Sequence, residues 1–252
     1  MNRFRFKRFS NAVLFCCICF AFFSCKPKAK PIPAKEKPKT AVSAKPAVLT
    51  NCAYDNDVSS LGIGLIMAPE KFVLFNDSLL TDTFAKVDMY GNNMNNSPLC
   101  SKFFKPDYGI MHFVCLGKTK TSYKVLNGSA DVKYLPKTKA YAFLSWNNYI
   151  LQSFGVRRIT NDKGKRAIHQ PLRKRPGSAD TIAIPKGLEM FCPIKIQDNW
   201  LQVKYDCFYN DEDSKHEGEP CSNYISKCKD PVTGWIKWRE GNKLLIDILV
   251  MD

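Results

Sequence analysis

The residues of this chain that could do chemistry are its cysteines and histidines, and neither group has the spacing of a known site. His112, His169 and His216 lie far apart, and after residue 25 no two cysteines are separated by only two residues. Zinc sites use closely spaced ligands, so we expect no metal and no cofactor. The sequence also has no Gly-x-Ser-x-Gly, His-Glu-x-x-His or glycine-rich phosphate loop. We therefore predict that the protein is not an enzyme.

Cys25 follows a segment with the composition of a secretory signal. Four basic residues precede an apolar run, residues 12–23, that has no charge and no proline. The twelve residues of that run would rise only about 18 Å as a helix, whereas the hydrocarbon core of a membrane is about 30 Å thick. The segment therefore indicates export rather than a permanent membrane span.

The four residues Phe22-Phe23-Ser24-Cys25 resemble the lipobox of bacterial lipoproteins, in which a small residue precedes the cysteine that becomes acylated. Phe22 takes the place of the usual leucine, a looser form found in Bacteroidota-like sequences. The resemblance implies that residues 1–24 are a lipoprotein signal peptide and that Cys25 attaches the protein to the lipid bilayer. An ordinary signal peptide with an incidental Cys25 is the alternative.

The residues after Cys25 bear on location. Lys26 is similar to the pattern for outer-membrane delivery, and the acidic cluster associated with surface display is missing. The resemblance therefore implies an outer-membrane lipoprotein that faces the periplasm of a Gram-negative cell. Residues 25–50 are rich in lysine and proline and cannot bury enough apolar surface to fold, so we predict a disordered tether.

The positive charge of the chain comes mainly from these two N-terminal segments. The formal charge is +15, but the signal segment has four basic residues, and residues 26–47 have seven lysines against one glutamate. Together they account for ten of the fifteen charges, which leaves a body of only +5. An exported protein of this charge is not expected to bind nucleic acid.

Seven cysteines follow Cys25. They are Cys52, Cys100, Cys115, Cys192, Cys207, Cys221 and Cys228. In an oxidising periplasm some of them should form disulfides, and their odd number leaves at least one free or paired between molecules.

The elements that would position these residues are mostly β-strands. Residues 61–155 contain short apolar, β-prone runs separated by turn-forming residues. These runs are residues 72–75, 84–87, 110–116, 123–126 and 132–135. Ser145 can cap a helix whose Trp146, Tyr149 and Ile150 fall on one face, so we predict a short helix near residues 145–153.

Residues 156–169, which begin with Val156, Arg157 and Arg158, are rich in basic side chains. We interpret this segment as a solvated linker between two domains. A basic patch for an anionic partner is the alternative.

The second half contains a predicted β-hairpin, residues 187–196 and 200–207, around a turn at residues 197–199. Pairing Gln197 with Trp200 places the apolar residues of both strands on one face, which we expect to be core. These residues are Met190, Cys192, Ile194 and Ile196 opposite Cys207, Tyr205, Val203 and Leu201. Cys192 is therefore expected to be a buried thiol.

The order of motifs in residues 170–252 resembles the bacterial SH3-like domain, a small half-open β-barrel. The matching motifs are residues 172–178, which contain Arg-Pro-Gly-Ser, residues 198–203 and residues 234–236. The chain departs from the family in a long polar insertion at residues 208–233, where the family usually has only a short turn.

Residues 61–155 look like a divergent second copy of the same domain. Residues 82–85 match 180–183, and the start of a strand at residues 122–125 matches 199–202. The resemblance implies a mainly β fold with two small SH3-like half-open β-barrels in tandem behind the tether. An unrelated β-rich unit is the alternative for the first half.

The insertion also predicts a disulfide. Cys207 leaves the predicted hairpin and Cys228 returns to the sheet, so a bond between them would restrict a segment with little core of its own. If residues 221–228 are helical, Cys221 and Cys228 are about 10 Å apart and cannot bond to each other. We therefore favour Cys207–Cys228, with Cys207–Cys221 as the alternative.

The family resemblance implies a membrane-tethered, non-catalytic envelope protein whose SH3-like domains bind peptidoglycan or a protein partner. Trp200, Trp235 and Trp238 are the candidate ligand-binding residues, because large amphipathic rings give contact area at low entropic cost. Trp235 and Trp238 are three apart and cannot both face inward in an unbroken strand, so an exposed tryptophan is expected. The alternative is an envelope inhibitor or immunity-type protein that docks its partner through the charged residues 208–230.

Overall fold

The computed structural model of the protein describes residues 59–91, 99–159, 170–186, 188–209, 215–216, 218–229 and 231–250. The predicted signal peptide, Cys25 and the tether lie outside these residues, as do His169 and most of the predicted linker, so those predictions remain untested. Within the described ranges, no helix has the length and apolar character needed to cross a membrane.

The described part of the chain is mainly β, as the sequence predicts. It contains fifteen strands in antiparallel sheets, one α-helix and three short 3₁₀ helices. Neither of the two larger sheets closes into a barrel within these residues.

The first sheet has eight strands in the order β3-β2-β7-β6-β5-β1-β8, and β4 also pairs with β5. The strands are β1 (Gly64–Met67), β2 (Lys71–Phe75), β3 (Thr83–Asp88), β4 (Phe103–Lys105), β5 (Ile110–Lys118), β6 (Ser122–Asn127), β7 (Asp131–Pro136) and β8 (Ala142–Ser145). The five apolar runs predicted as strands correspond to β2, β3, β5, β6 and β7, so those predictions are confirmed.

Strand β5 shows that the first sheet is buried on both faces. Ile110 and Val114 belong to the larger core cluster, whereas Met111, Phe113 and Cys115 belong to a second cluster with residues of the neighbouring strands. All five residues are at most 1% exposed. Covered faces on both sides explain why this strand is a nearly continuous apolar run instead of an alternating one.

The predicted short helix is confirmed as α1 (Trp146–Leu151). The hydroxyl of Ser145 accepts a hydrogen bond from the backbone N–H of Asn148 and caps the helix. Trp146, Tyr149 and Ile150 are buried, as their common helical face predicts.

The second sheet has five strands in the order β12-β11-β10-β9-β15. They are β9 (Gly155–Arg158), β10 (Phe191–Gln197), β11 (Trp200–Tyr205), β12 (Thr233–Lys237) and β15 (Ile246–Leu249). β13 (Arg239–Glu240) and β14 (Lys243–Leu244) form a separate two-stranded ribbon.

Strand β9 lies mostly within the segment predicted to be a solvated linker. It pairs with β10 on one side and with β15 on the other. Arg158 is 3% exposed, and its Nε donates to the carboxylate of Glu189 over 2.9 Å. The prediction of a solvated side chain is therefore wrong for Arg158, because a carboxylate distant in sequence neutralises it inside the protein.

The hairpin has the predicted turn, with Gln197 opposite Trp200, but its register changes at a bulge in β10. Beyond the bulge Pro193, not Ile194, lies opposite Val203. A proline has no N–H to donate to the ladder, and prolines within sheets are found at bulges. The prediction that Ile194 lies in the core is therefore wrong, since this residue is 43% exposed.

The two sheets and α1 share the larger core cluster. It includes Leu65 of the first sheet, Trp146 of α1, and Phe191 and Trp238 of the second half. The ring centroids of Trp146 and Trp238 lie 6.1 Å apart. The two halves, which the sequence predicts to be separate domains, thus pack on a common core.

Candidate functional site

Two of the three candidate tryptophans are buried. Trp235 is 9% exposed and Trp238 only 3%. β12 ends at Lys237, so Trp238 follows the strand and does not continue its alternation. The indole Nε1 of Trp238 donates to the carbonyl of Asp198 over 2.8 Å. The assumption of an unbroken strand is therefore wrong, and neither ring offers a ligand-binding surface.

Trp200 is the candidate that keeps access to solvent. It is half-buried at the start of β11, opposite Lys237 of β12. The ammonium of Lys237 lies 5.9 Å from the centre of the Trp200 ring. A single half-buried ring gives a sugar or peptide far less contact area than the set of three rings that the sequence suggested.

The insertion between β11 and β12 has more local structure than the surface around Trp200. Its described residues include two 3₁₀ helices, Cys221–Asn223 and Ile225–Lys227. Four residues of this stretch are 1–7% exposed: Cys221, Tyr224, Ile225 and Cys228. Their spacing of three, four and seven residues is that of one face of a helical segment, and this face packs against the hairpin.

Two disulfides fix this segment to the hairpin. The structure joins Cys207 to Cys228, the pairing favoured from the sequence, with a Cα–Cα distance of 5.9 Å. It also joins Cys192 to Cys221, at 5.6 Å. The predictions of a buried thiol at Cys192 and of a Cys207–Cys221 alternative are wrong, because the first 3₁₀ helix places Cys221 against β10. We name the described residues 206–209, 215–216 and 218–229 the clamped insertion.

The remaining cysteines of the described part do not add a reactive site. Cys100 is also disulfide-bonded, and Cys115 is the free cysteine of the described residues. The thiol of Cys115 donates to the carbonyl of Gly117 over 3.4 Å, and burial raises its pKa to about 11. Since nucleophilic attack requires the thiolate, Cys115 is inert at neutral pH.

A buried carboxylate ties the clamped insertion to the hairpin. Asp206 is 1% exposed, and it accepts hydrogen bonds from the hydroxyl of Tyr224 over 2.8 Å and from the N–H of Phe208 over 3.0 Å. Its own N–H donates to the carbonyl of Met190. Burial, followed by the hydrogen bond to Asp206, raises the pKa of Tyr224 well above its ordinary value. Tyr224 therefore remains a protonated donor at physiological pH.

Three rings pack beside this carboxylate. His216 stacks on Tyr224 with 4.4 Å between ring centroids and an interplanar angle of 12°. Phe208 meets both rings edge-on, at 5.0 Å and 5.7 Å. The carboxylate of Glu219 lies 3.5 Å from Nδ1 of His216. Edge-to-face and stacked contacts of this kind give the clamped insertion a packed core of its own.

The outer face of the clamped insertion is polar with one large ring. Tyr209 is 42% exposed. The other exposed residues of the clamped insertion include Ser222, Asn223, Ser226, Lys227 and Lys229, together with the charged Lys215 and Glu219. The segment is fixed by two disulfides and exposes tyrosine, serine and asparagine side chains. These residue types are common in protein-recognition loops, where an aromatic ring supplies contact area and short polar side chains supply hydrogen bonds.

His112 is placed apart from the insertion, in β5 of the first sheet. It is 3% exposed, and its Nδ1 lies 2.8 Å from the hydroxyl of Tyr149. Burial lowers the pKa of His112 to about 4, so the imidazole is neutral at physiological pH. Among the described residues, no group of three histidine, cysteine, aspartate or glutamate side chains could hold a metal ion.

No sequence motif groups Asp206, His216 and Tyr224. The helical spacing of the four buried residues from Cys221 to Cys228 does predict that one face of this segment packs against the rest of the protein. Asp206 had no such signal, because its role depends on partners that the folded insertion brings back to the end of β11.

No protein-family model, curated protein or solved structure matches the chain. The basis for a function is therefore the geometry of the described residues together with the motif resemblances of the sequence.

Proposed function

We propose that the protein is a non-catalytic envelope lipoprotein, attached to the outer membrane through Cys25, that binds a protein partner in the periplasm through its clamped insertion. The tether of residues 25–50 sets how far the folded part can extend from the membrane. In this proposal the second half is an SH3-like domain that uses its insertion as the binding element, and the first half is a divergent copy. The observation that carries the proposal is the pair of disulfides at the base of the insertion.

The disulfides favour binding because they order the insertion before a partner arrives. They span 29 and 21 residues of sequence, and cross-links of that span remove conformational freedom from a chain segment. A surface that is already ordered loses less entropy on association, and more of its contact energy is left for affinity. Disulfides also form and persist in oxidising compartments, which agrees with export.

The burial of the tryptophans favours a protein over peptidoglycan. Trp235 and Trp238 are part of the core, so a glycan-binding surface would have to rely on Trp200 alone. The clamped insertion presents a wider surface of mixed polar and aromatic character. This is also the surface through which an inhibitor or immunity-type protein would act.

Site-specific photo-crosslinking in producing cells tests the proposal. A photoreactive residue in place of Asn223, on the outer face of the clamped insertion, should give one discrete protein adduct. The matched control is the same residue in place of Leu79, which is 79% exposed in the first half and should give no adduct. Equal crosslinking at both positions would contradict a specific surface.

A pull-down on purified peptidoglycan distinguishes the two ligand classes. The proposal expects no retention of the full chain at low salt. Retention that is lost in Trp200→Ala and kept in Tyr209→Ser would assign binding to the glycan and reject the clamped insertion as the binding element.

A further inference from the structure

The turn between β2 and β3, residues 76–82, carries the most exposed large apolar side chain of the described residues. This side chain is Leu79, which is 79% exposed. The carboxylate of Asp77 accepts hydrogen bonds from the backbone N–H groups of Leu79, Thr81 and Asp82, over 2.8, 3.0 and 2.6 Å. These bonds order the turn on both sides of Leu79, so the leucine is held in solvent. We name residues 76–82 the leucine tip.

The leucine tip also has a strained backbone. Leu80 has a φ of 63°, in the left-handed region that glycine and asparagine usually occupy in turns. A bulky residue in this region lowers stability, and such outliers are concentrated at functional sites. A glycine would form the same turn without strain, but it would remove one of two adjacent leucines. The strained pair of leucines therefore needs a functional explanation.

Two further turns of the first sheet adjoin the leucine tip. The hydroxyl of Ser122 donates to the carbonyl of Ser78 over 3.0 Å, and it lies 2.8 Å from the hydroxyl of Thr119. The turn between β5 and β6 therefore contacts the tip. The backbone N–H of Lys137 donates to the carbonyl of Thr121 over 2.8 Å, which joins the turn between β7 and β8 to the same group.

The charge of these adjoining turns is positive. Four exposed lysines lie in them or directly before them, and none forms an ion pair with a described carboxylate: Lys118, Lys120, Lys137 and Lys139. The leucine tip itself has two carboxylates, those of Asp77 and Asp82. Four positive charges against two negative ones leave a net charge of +2 around the exposed leucine.

We propose that the leucine tip and the lysines of the adjoining turns dock on the surface of an anionic lipid bilayer. Leu79 enters the interface, and the lysine ammonium groups lie among the phosphates. A bilayer surface fits because it is apolar and anionic at once, and both properties contribute to binding. In the cell the inference rests on the proposed membrane anchor, which keeps a bilayer within reach, but it does not involve the clamped insertion. A lipid contact at position 79 also yields no protein adduct, in agreement with the crosslinking control above.

Methyl NMR of the full chain in lipid nanodiscs tests the inference. The nanodiscs contain phosphatidylglycerol and a lipid with a spin label on its acyl chain, which broadens the signals of nearby methyl groups. They supply a bilayer whether or not Cys25 is acylated, so the result is separate from the proposed anchor. The methyl signals of Leu79, assigned by their loss in Leu79→Ser, should lose most of their intensity. Leu188, 68% exposed in the second half, is the matched control and should keep its signals.

Matched lysine substitutions test the charge. A lysine close to an anionic surface strengthens binding about fivefold, so Lys120→Gln combined with Lys137→Gln should weaken docking about 25-fold. The readout is the recovery of the Leu79 signals. Lys174→Gln combined with Lys229→Gln removes the same charge at two exposed positions of the second half and should change nothing.

Four results would overturn the inference: no loss of the Leu79 signals, equal loss for Leu79 and Leu188, equal effects of the two lysine pairs, or the same loss in nanodiscs of net-neutral phosphatidylcholine. The third would show a general attraction of a basic protein to anionic lipid rather than a docking surface. None of the four bears on the partner of the clamped insertion, which is tested by crosslinking at Asn223.

Discussion

Strand β5 of the first half and the hairpin region of the second half bury their polar groups in different ways. In β5 of the first sheet, His112 and Cys115 are buried in uncharged form among apolar neighbours, with Tyr149 and Gly117 as hydrogen-bond partners. In the second half, Arg158 is buried beside the carboxylate of Glu189, and two disulfides fix the insertion. Strand β5 is thus stabilised mainly by apolar packing, whereas Arg158 and the clamped insertion depend on individual polar and covalent contacts.

The difference follows from the amount of core available to each region. The first sheet contributes to both of the large hydrophobic clusters, on its two faces. The clamped insertion contributes four residues to a separate buried cluster, which Cys192 of β10 completes, and three of the five are cysteines. A segment with so little apolar area needs cross-links to stay ordered, as small secreted domains do. Reduction of these two disulfides should therefore affect the clamped insertion more than β5.

The largest effect is expected from Glu189→Ala. The change leaves the guanidinium of Arg158, 3% exposed, without its carboxylate. Removing one partner of a buried ion pair costs about 3–5 kcal/mol, because the other charge stays buried and uncompensated. Urea denaturation of the full chain should show a loss of unfolding free energy of that size.

The control for this substitution is Glu240→Ala. It breaks the exposed pair Lys237–Glu240, in which the ammonium and the carboxylate are 3.0 Å apart and the side chains are 40% and 69% exposed. An exposed pair of this kind contributes less than about 1 kcal/mol. Similar losses for both substitutions would show that burial of Arg158 does not set the cost.

Removal of the Cys192–Cys221 disulfide, by replacement of both residues with alanine, should cost about 2–4 kcal/mol. The loss should be local: backbone amides of the two 3₁₀ helices should exchange with solvent faster, while those of β5 should not change. Hydrogen exchange followed by mass spectrometry measures both. Cys115→Ala is the control, and faster exchange of β5 in the disulfide variant would contradict the separation of the two regions.

A pH effect is expected from the first half. The pKa of His112 is about 4 in the folded protein and 6.5 in an unfolded chain, so below pH 6.5 the unfolded state binds a proton that the folded state does not. The contribution of His112 to the unfolding free energy is therefore fully present above pH 6.5. It is lost as the pH falls toward 4, by about 2 kcal/mol between pH 6.5 and pH 5. Urea denaturation at pH 7 and pH 5 should show this fall, and His112→Gln should remove it. An unchanged fall in the variant would assign it to other groups.

Much of the fold could be predicted from the sequence because its signals are local. The apolar runs of β2, β5, β6 and β7, the capping serine of α1 and the turn at residues 197–199 each depend on neighbouring residues. Strand β9 could not be found this way. Its Arg158 looks like a surface residue until Glu189, 31 positions further on, is placed beside it.

The candidate site was harder to predict from the sequence, because its contacts join residues that are distant along the chain. The bulge at Pro193 and the end of β12 before Trp238 change which side chains are buried, although the alternation in the sequence is regular. The Cys192–Cys221 disulfide depends on the insertion folding back over β10, a step that no short-range pattern encodes. The Cys207–Cys228 pairing could be predicted from the sequence because both residues flank the same insertion.

The smallest effect, and the one that isolates the polar anchor of the clamped insertion from its disulfides, is expected from Tyr224→Phe. The ring and its stacking on His216 are kept, but one oxygen of the buried Asp206 carboxylate loses its donor. An unsatisfied buried acceptor costs about 1–3 kcal/mol, and the opposing repacking is small because the volume hardly changes. Tyr209→Phe, at a 42% exposed position, should stay within about 0.5 kcal/mol of the wild type in urea denaturation. If Tyr224→Phe were equally neutral, the disulfides alone would hold the insertion, and its surface could be redesigned without regard to Asp206.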